Sequence, residues 1–167
     1  EGITTNLLAA RLSKLESREV VTRVPLPAPG RGHSYELTPR GRLLEPALLA
    51  LGAFGAELPL TDGVSYRGDP RWAVLSFKRR FRGSGREIRV ELSVGERRFR
   101  VHTARDGALD VGDGPLPGAT ASIRCTPEAF FRLYRGAPLR DLEDAGSLEI
   151  VGRRRDARAL LAAVGLG

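Results

Sequence analysis

Residues 3–21, ITTNLLAARLSKLESREVV, decide how the first third of this chain folds. Thr4 and Thr5 are both fit to cap a helix, because a hydroxyl accepts from a backbone N–H left free in the first turn. Leu8, Leu12 and Leu15 recur at helical spacing and make one apolar face, which Leu7 widens. The other side carries Thr5, Asn6, Ala10, Arg11 and Lys14. Small, amide-bearing and cationic residues are the types that reach base edges and phosphates in a DNA groove. Amphipathic helices are common, so the flanking sequence has to decide between a solvated face and a DNA-reading one.

The β-branched run from Glu19 to Pro25 reads as a strand. LPAPGRG, residues 26–32, is a Pro/Gly loop with Arg31 at its tip, and HSYEL, residues 33–37, reads as the returning strand. Helix, strand, basic loop, strand is the second half of a winged helix, in which the helix enters the major groove and the wing lies along the backbone or minor groove. Thr38-Pro39 starts another helix, with Thr as N-cap and Pro at the first helical position. Pro46 should kink or divide it. Leu43, Leu44, Leu48, Leu49, Leu51 and Phe54 cover more than one face, so burial on most sides is expected. A second subunit or the following domain would supply the cover.

The run from Gly2 to Gly55 resembles the second half of an HxlR-type winged-helix transcription regulator. The motif I-T/S-x-N-x-L-x-x-R-L-x-x-L-E is met by Ile3, Asn6, Leu8, Arg11, Leu12, Leu15 and Glu16. Y-x-L-T-x-x-G is met by Tyr35, Leu37, Thr38 and Gly41. The resemblance implies a dimeric, cytoplasmic, bacterial regulator that binds palindromic double-stranded DNA. On that basis Thr4, Thr5, Asn6, Arg11 and Lys14 are the expected recognition-helix contacts, and Arg23 and Arg31 the expected wing contacts. The family's preceding helices, and the sensor cysteine that some relatives carry near the N-terminus, would lie before Glu1.

Composition bounds the alternatives. The chain has 167 residues, a 41% hydrophobic share and a net charge of +7. One or two small globular domains fit that length. The excess charge is nearly all arginine, since Lys14 and Lys78 are the only lysines. Arginine suits phosphate contacts, and it also follows from a GC-rich codon bias. Residues 1–57 hold 7 basic and 6 acidic residues, so the first segment is no polycation and only its local charge distribution favours DNA. The most apolar segment, residues 43–60, is interrupted by Glu45, Pro46, Gly52 and Gly55, so no membrane span is expected. Cys125 is the single cysteine, which excludes an intrachain disulfide. It stands far in sequence from His33 and His102, so no metal site is expected and no cofactor is implied. Methionine is absent altogether, and the sequence is therefore expected to begin inside a longer protein.

Three segments are expected: a winged-helix domain over 1–58, a Pro/Gly/Asp-rich linker over 59–69, and an α+β domain over 70–167. Asp69-Pro70 should start a helix over Arg71–Arg82, with Trp72, Leu75 and Phe81 buried. Ile88, Val90, Leu92 and Val94 alternate with polar residues. Gly95-Glu96 suits a two-residue turn, which pairs Leu92 with Phe99, Val90 with Val101 and Glu91 with Arg100. Strands follow around Leu109–Val111 and Ala119–Cys125, and Cys125 reads as a small buried residue. Thr126 then caps a helix carrying Phe130, Phe131, Leu133 and Tyr134, and Gly136 ends it. A short helix near Leu139–Ala145, a strand over Ser147–Val151 and a terminal helix with Ala157, Leu160, Leu161 and Val164 inward complete the chain.

The run from Thr126 to Val164 resembles the sterol carrier protein type 2-like fold. It is carried by the helix after the fourth strand, the G-S-L-E-I-V-G strand and the closing helix. The resemblance implies an α+β layer with an apolar tunnel for a lipid-like ligand, which Trp72, Leu75, Phe130, Phe131 and Tyr134 would line. Two functions compete. One is a regulator whose C-terminal domain binds a hydrophobic small-molecule effector or serves only dimerisation. The other is a hydrophobic small-molecule or lipid carrier with a vestigial winged helix. An enzyme is not expected: the sequence offers no Ser/His/Asp set, no carboxylate pair in context and no phosphate-binding loop.

Overall fold

The computed structural model describes residues 3–26, 29–57 and 69–166. The chain divides into two compact units, Glu1–Leu58 and Pro59–Gly167. The expected linker lies outside the described residues except for Asp69.

In the first unit, α1 spans Thr5–Ser17, and the Thr4 hydroxyl accepts from the Leu7 N–H at 3.4 Å. The helix closes where Glu19 N–H donates to Glu16 O and Val20 N–H to Leu15 O, both at 2.9 Å. That close puts Glu19 at φ +56°, a left-handed conformation that side chains with a Cβ disfavour. β1 (Val21–Pro25) and β2 (His33–Leu37) pair antiparallel, with Val21 opposite Leu37 and Arg23 opposite Tyr35.

Thr38 locks this hairpin to the helix end. Its hydroxyl oxygen accepts from Gly41 N–H at 2.9 Å, capping α2 (Pro39–Arg42), and its O–H donates to the Glu19 carbonyl. Gly41 is buried there, and a Cβ on it would stand 2.0 Å from the Val20 carbonyl oxygen. The T-x-x-G of the sequence is thus a packing requirement. Next, α3 covers Glu45–Glu57, and Pro46 is its second residue, where a missing N–H costs nothing. The helix is divided at Leu43–Leu44, as Pro46 predicts.

Burial on most sides of this segment is not what the unit shows. Leu43 is 78% exposed, Leu51 66% and Phe54 67%. On α1, Leu12 is half-buried, while Leu7, Leu8 and Leu15 are exposed. Helix α1 meets β1 and α2 meets β2, and Leu7, Leu8 and Leu15 stay exposed all the same.

The second unit is a two-layer α+β fold. It opens with α4 (Pro70–Leu75) and α5 (Phe77–Arg80). The single helix expected over Arg71–Arg82 is broken at Ser76, whose hydroxyl donates to the Ala73 carbonyl at 2.6 Å. The inward stripe is Ala73, Val74 and Phe77. Trp72 lies about 100° or more around the helix from each of the first two and is 63% exposed, so its expected burial is corrected. Leu75 and Phe81 are half-buried.

A five-stranded sheet follows, in the order β5-β4-β3-β6-β7. Its strands are β3 (Ile88–Val94), β4 (Arg97–Thr103), β5 (Leu109–Asp113), β6 (Ala121–Cys125) and β7 (Leu148–Gly152). The β3–β4 register is Leu92 to Phe99, Val90 to Val101 and Glu91 to Arg100, as the alternation predicts. Strand β6 runs parallel to β3; the other pairs are antiparallel. Helices α6 (Pro127–Tyr134), α7 (Leu139–Asp144) and α8 (Arg154–Ala163) complete the layer.

Ile88, Val90, Leu92, Val94, Phe99, Val101 and Ile123 on the sheet meet Val74, Phe77, Phe130, Leu133, Leu142, Leu160 and Leu161 from the helices in one core. Each such side chain contributes roughly 1.5–3 kcal/mol of burial. Asp156 is the buried charge. Its carboxylate accepts from the Thr120 hydroxyl at 2.6 Å and pairs with Arg86 at 3.2 Å, which fixes α8 against the sheet.

Candidate nucleic-acid interface and ligand cleft

Helix α1 presents a solvent-facing sector of about 140°, running from Asn6 to Arg11, with Ala10 and Lys14 between them and the exposed Leu7 beside Lys14. All five are exposed, and Arg18 extends the cationic edge one turn beyond Lys14. Thr4 is committed to the N-cap. Thr5 lies outside the sector, on the flank where Leu12 and Glu16 are half-buried toward the hairpin. The expected helix contacts are therefore brought together for Asn6, Arg11 and Lys14 and set apart for Thr5. Capping by Thr4 fixes where the first turn begins, and so where Asn6 points.

On the hairpin, Arg23 lies with its guanidinium 5.9 Å from the centre of the Tyr35 ring opposite it. Tyr35 thus supports an arginine that remains exposed. Arg31 is exposed next to Gly32, whose carbonyl accepts from Leu26 N–H at 3.2 Å to close the wing loop. Pro27 and Ala28, in the same loop, lie outside the described residues.

The second unit holds a cleft of about 440 Å³ between α4 and the β4–β5 edge. Val74, Leu75, Phe99 and Val111 give it an apolar floor, Trp72 forms a lip, and Asp69, Arg71, Gly112 and Asp113 line the rest. Asp69 caps α4 by accepting from Arg71 N–H at 3.0 Å. The same carboxylate accepts from the Arg71 guanidinium at 2.7 and 2.9 Å and faces Arg97 at 3.4 Å. Its hydrogen bonds with Arg71 hold the Asp69 carboxyl below the usual carboxylate range.

Of the expected ligand-lining residues, Trp72 and Leu75 are on this cleft. Phe130, Phe131 and Tyr134 stand elsewhere. Phe130 is buried against Phe77, ring centres 6.4 Å apart, and against Phe131 at 5.6 Å. The Tyr134 hydroxyl is 2.9 Å from that of Ser76, and Arg80 covers its ring at 4.7 Å. The spacing that groups the three aromatics on one helix places them on the core and its margin. Phe99, Val111 and Asp113 were missed as cleft residues. The signal that could have found them is the strand register, which sets Phe99 opposite Asp113 and Val101 opposite Val111 on the sheet edge beside α4.

Cys125 is largely buried, and burial pushes its thiol up to about 12, which disfavours the thiolate. Among the described residues no group of three or more His, Cys, Asp or Glu side chains is placed to hold a metal ion. No described helix is long and apolar enough to cross a membrane.

The capped helix, the basic-tipped hairpin and the Thr38–Gly41 lock define the first unit as the second half of a winged helix. Residues 1–60 match the model of the HxlR-like helix-turn-helix family. No curated protein matches the sequence. Among solved structures, the inverting sec-alkylsulfatase Pisa1 from Pseudomonas sp. is similar at 14% identity and a TM-score of 0.52. That match covers 64% of this chain and 18% of the sulfatase, so the chain spans about a fifth of that enzyme's length and the likeness is one of fold. The UbiJ-SCP2 ubiquinone synthesis protein is similar at 17% identity and a TM-score of 0.42, covering 76% of this chain and 97% of that one. Sterol Carrier Protein 2 Like 2 from Aedes aegypti is similar at 11% identity and a TM-score of 0.35, covering 73% and 94%.

Proposed function

We propose that the chain is a bacterial transcription regulator that binds palindromic double-stranded DNA as a homodimer, and that its second unit takes an apolar small-molecule effector. The observation that carries the proposal is the α1 sector. A Thr-capped helix with Asn6, Arg11 and Lys14 exposed is followed by a wing bearing Arg23 and Arg31, inside a segment of HxlR-like helix-turn-helix. Asparagine reads adenine, arginine reads guanine and lysine neutralises phosphate. The dimer is supported by the exposed apolar surface of α3 and the turn before it, with Leu43, Leu51 and Phe54 uncovered. A cytoplasmic location goes with DNA binding.

Footprinting on the upstream region of the chain's own gene tests this. A symmetric protected site whose affinity falls steeply with salt is expected. Arg11→Ala should weaken binding by about 1–3 kcal/mol and relax base preference at one position in each half-site. Binding of Arg11→Ala to the operator with the parent's affinity and base preference would falsify the assignment of α1 as the recognition helix.

A second reading is favoured by the open cleft: a binding or carrier module for hydrophobic small molecules, with the winged helix serving as scaffold. Under it, freshly purified protein retains an apolar ligand in native mass spectrometry and shows no preferred DNA site.

A further inference from the structure

Charge is divided unevenly between the two units. Residues 1–57, which hold the DNA-reading helix, carry 7 basic and 6 acidic residues, whereas residues 59–167 carry 20 and 14. Most of the attraction for a polyanion therefore resides in the second unit. Part of that charge is where a helix favours it. Lys78, Arg79 and Arg80 lie in the last turn of α5 and Arg132 in the last turn of α6, at the carbonyl ends. Arg71 and Arg140, near the starts of α4 and α7, are each paired with a carboxylate, Asp69 and Asp144.

Helix α8 breaks that pattern. Residues 153–158 read R-R-R-D-A-R. Arg153 stands at the N-cap and makes no capping bond through its side chain. Arg154, Arg155 and Arg158 fall within a sector of about 100° on the side away from Ala157, Leu160 and Leu161. All four arginines are exposed. Cations at a helix start oppose its dipole, and Arg154 and Arg158 repel each other one turn apart. Two carboxylates reach this group. Asp156 is 5% exposed and faces Arg86 at 3.2 Å and Arg155 at 3.6 Å, and Glu143 pairs with Arg154. Five guanidiniums thus share two carboxylates, and among the described residues Arg153 and Arg158 pair with none. A codon bias toward arginine sets how many arginines the chain holds, not that four stand exposed where the helix disfavours them.

We propose that the outer face of α8, through Arg153, Arg155 and Arg158, is a second DNA-contacting surface, which holds backbone phosphates without reading sequence. The proposal rests on the reading above that the chain binds double-stranded DNA. Helix α1 and the wing supply groups that reach base edges, but their unit has little net charge, and sequence-independent affinity grows with the number of phosphates neutralised. The planar fork of arginine suits phosphate oxygens. A phosphate held there also relieves the repulsion among arginines that the fold leaves uncompensated.

The test is a salt series of DNA binding by the full chain, on the upstream region of its own gene and on a scrambled duplex of the same composition. Arg153→Gln, Arg155→Gln and Arg158→Gln are combined in one variant. Each charge removed opposed the helix dipole, so the variant should melt no lower than the parent. The slope of log affinity against log salt should fall by about one unit for each arginine that reaches a phosphate, on both duplexes alike and with base preference kept. Arg158→Gln alone should take about one unit from the slope, and it stands as the test if the combined variant fails to fold. A slope and affinity equal to the parent's on both duplexes would overturn the proposal and leave the α1 assignment standing, because that rests on the base preference lost in Arg11→Ala. An unchanged DNA slope joined to lost co-sedimentation with phosphatidylglycerol vesicles would overturn it too, by marking the face as a lipid-binding one. If the parent binds neither duplex, the DNA-binding reading falls and this surface with it.

Discussion

The two units solve the burial problem differently. In the second, twenty-two apolar residues from sheet and helices share one core, and large side chains such as Phe77, Phe130 and Leu142 are almost wholly shielded. In the first, Gly41 is the only residue buried among those described, and the largest leucines of α1 and α3 are open. The second unit thus carries its own stabilisation, of the size that domain cores supply. The first is held by caps, a two-stranded hairpin and one tight junction, features worth about 1 kcal/mol each. The open apolar residues of α3 are the physical ground for proposing a partner subunit there.

The comparison is broken most directly in the core. Phe130→Ala removes a ring that touches both Phe77 and Phe131. It should cost about 3–5 kcal/mol in the second unit. Thermal unfolding followed by near-ultraviolet circular dichroism checks it, and a midpoint within a degree of the parent would sink the assignment of Phe130 to the core.

Gly41→Ala is the matching strike on the first unit. An added methyl would stand 2.0 Å from the Val20 carbonyl oxygen, and the obstacle is backbone, so the hairpin and α2 must part. A cost of about 1–3 kcal/mol is expected. DNA affinity should fall and cleavage by protease within residues 1–57 should rise, with the Trp72 emission unchanged. A wild-type DNA affinity would show that the Thr38–Gly41 junction does not position the helix.

Asp69→Ala sharpens the comparison at the start of the second unit. Loss of the N-cap should cost about 0.5–2 kcal/mol at neutral pH. The sign of its pH dependence follows from the direction of the shift. Arg71 holds the Asp69 carboxyl below the ordinary value of 3.8, so the stabilisation is present above that pH and is lost as the pH falls through the folded value. The gap between variant and parent should therefore close on acidification. A gap that widens toward low pH would contradict the pairing with Arg71.

Legibility in the sequence followed the same division. The β3–β4 register could be read residue by residue, because alternation and the Gly95-Glu96 turn admit one pairing that keeps Val90, Leu92, Phe99 and Val101 inward. The α1 cap and the Thr38-Pro39 start were equally readable, since caps are local chemistry. Trp72 was not. Its exposure follows from its place on α4, about 100° or more around from the inward Ala73 and Val74, and the aromatic residue type pointed the other way. The cleft beside α4 was legible in part. Trp72 and Leu75 came from the right helix, whereas the aromatics of α6 carry the same spacing signal for a core as for a pocket. What separates the two is which strand edge lies beside α4, and that is a matter of tertiary packing.

The smallest effect lies at Glu19, and it bears on how the first unit is held together. Its φ of +56° closes α1 and turns the chain into β1. A left-handed residue with a Cβ costs about 1–2 kcal/mol, and glycine removes that cost while adding backbone freedom to the unfolded chain. The Glu19 side chain offers little in return: its contact with Arg40 is 3.5 Å long and both partners are mostly exposed. The Glu19 carbonyl, which accepts from Thr38, survives the change. Glu19→Gly should therefore stabilise the first unit by about 0.5–1 kcal/mol, read as slower amide exchange at Val20 and Val21 with DNA specificity unchanged. Faster exchange would mean that the Arg40 contact, rather than the backbone bonds at the end of α1, holds the helix to the hairpin.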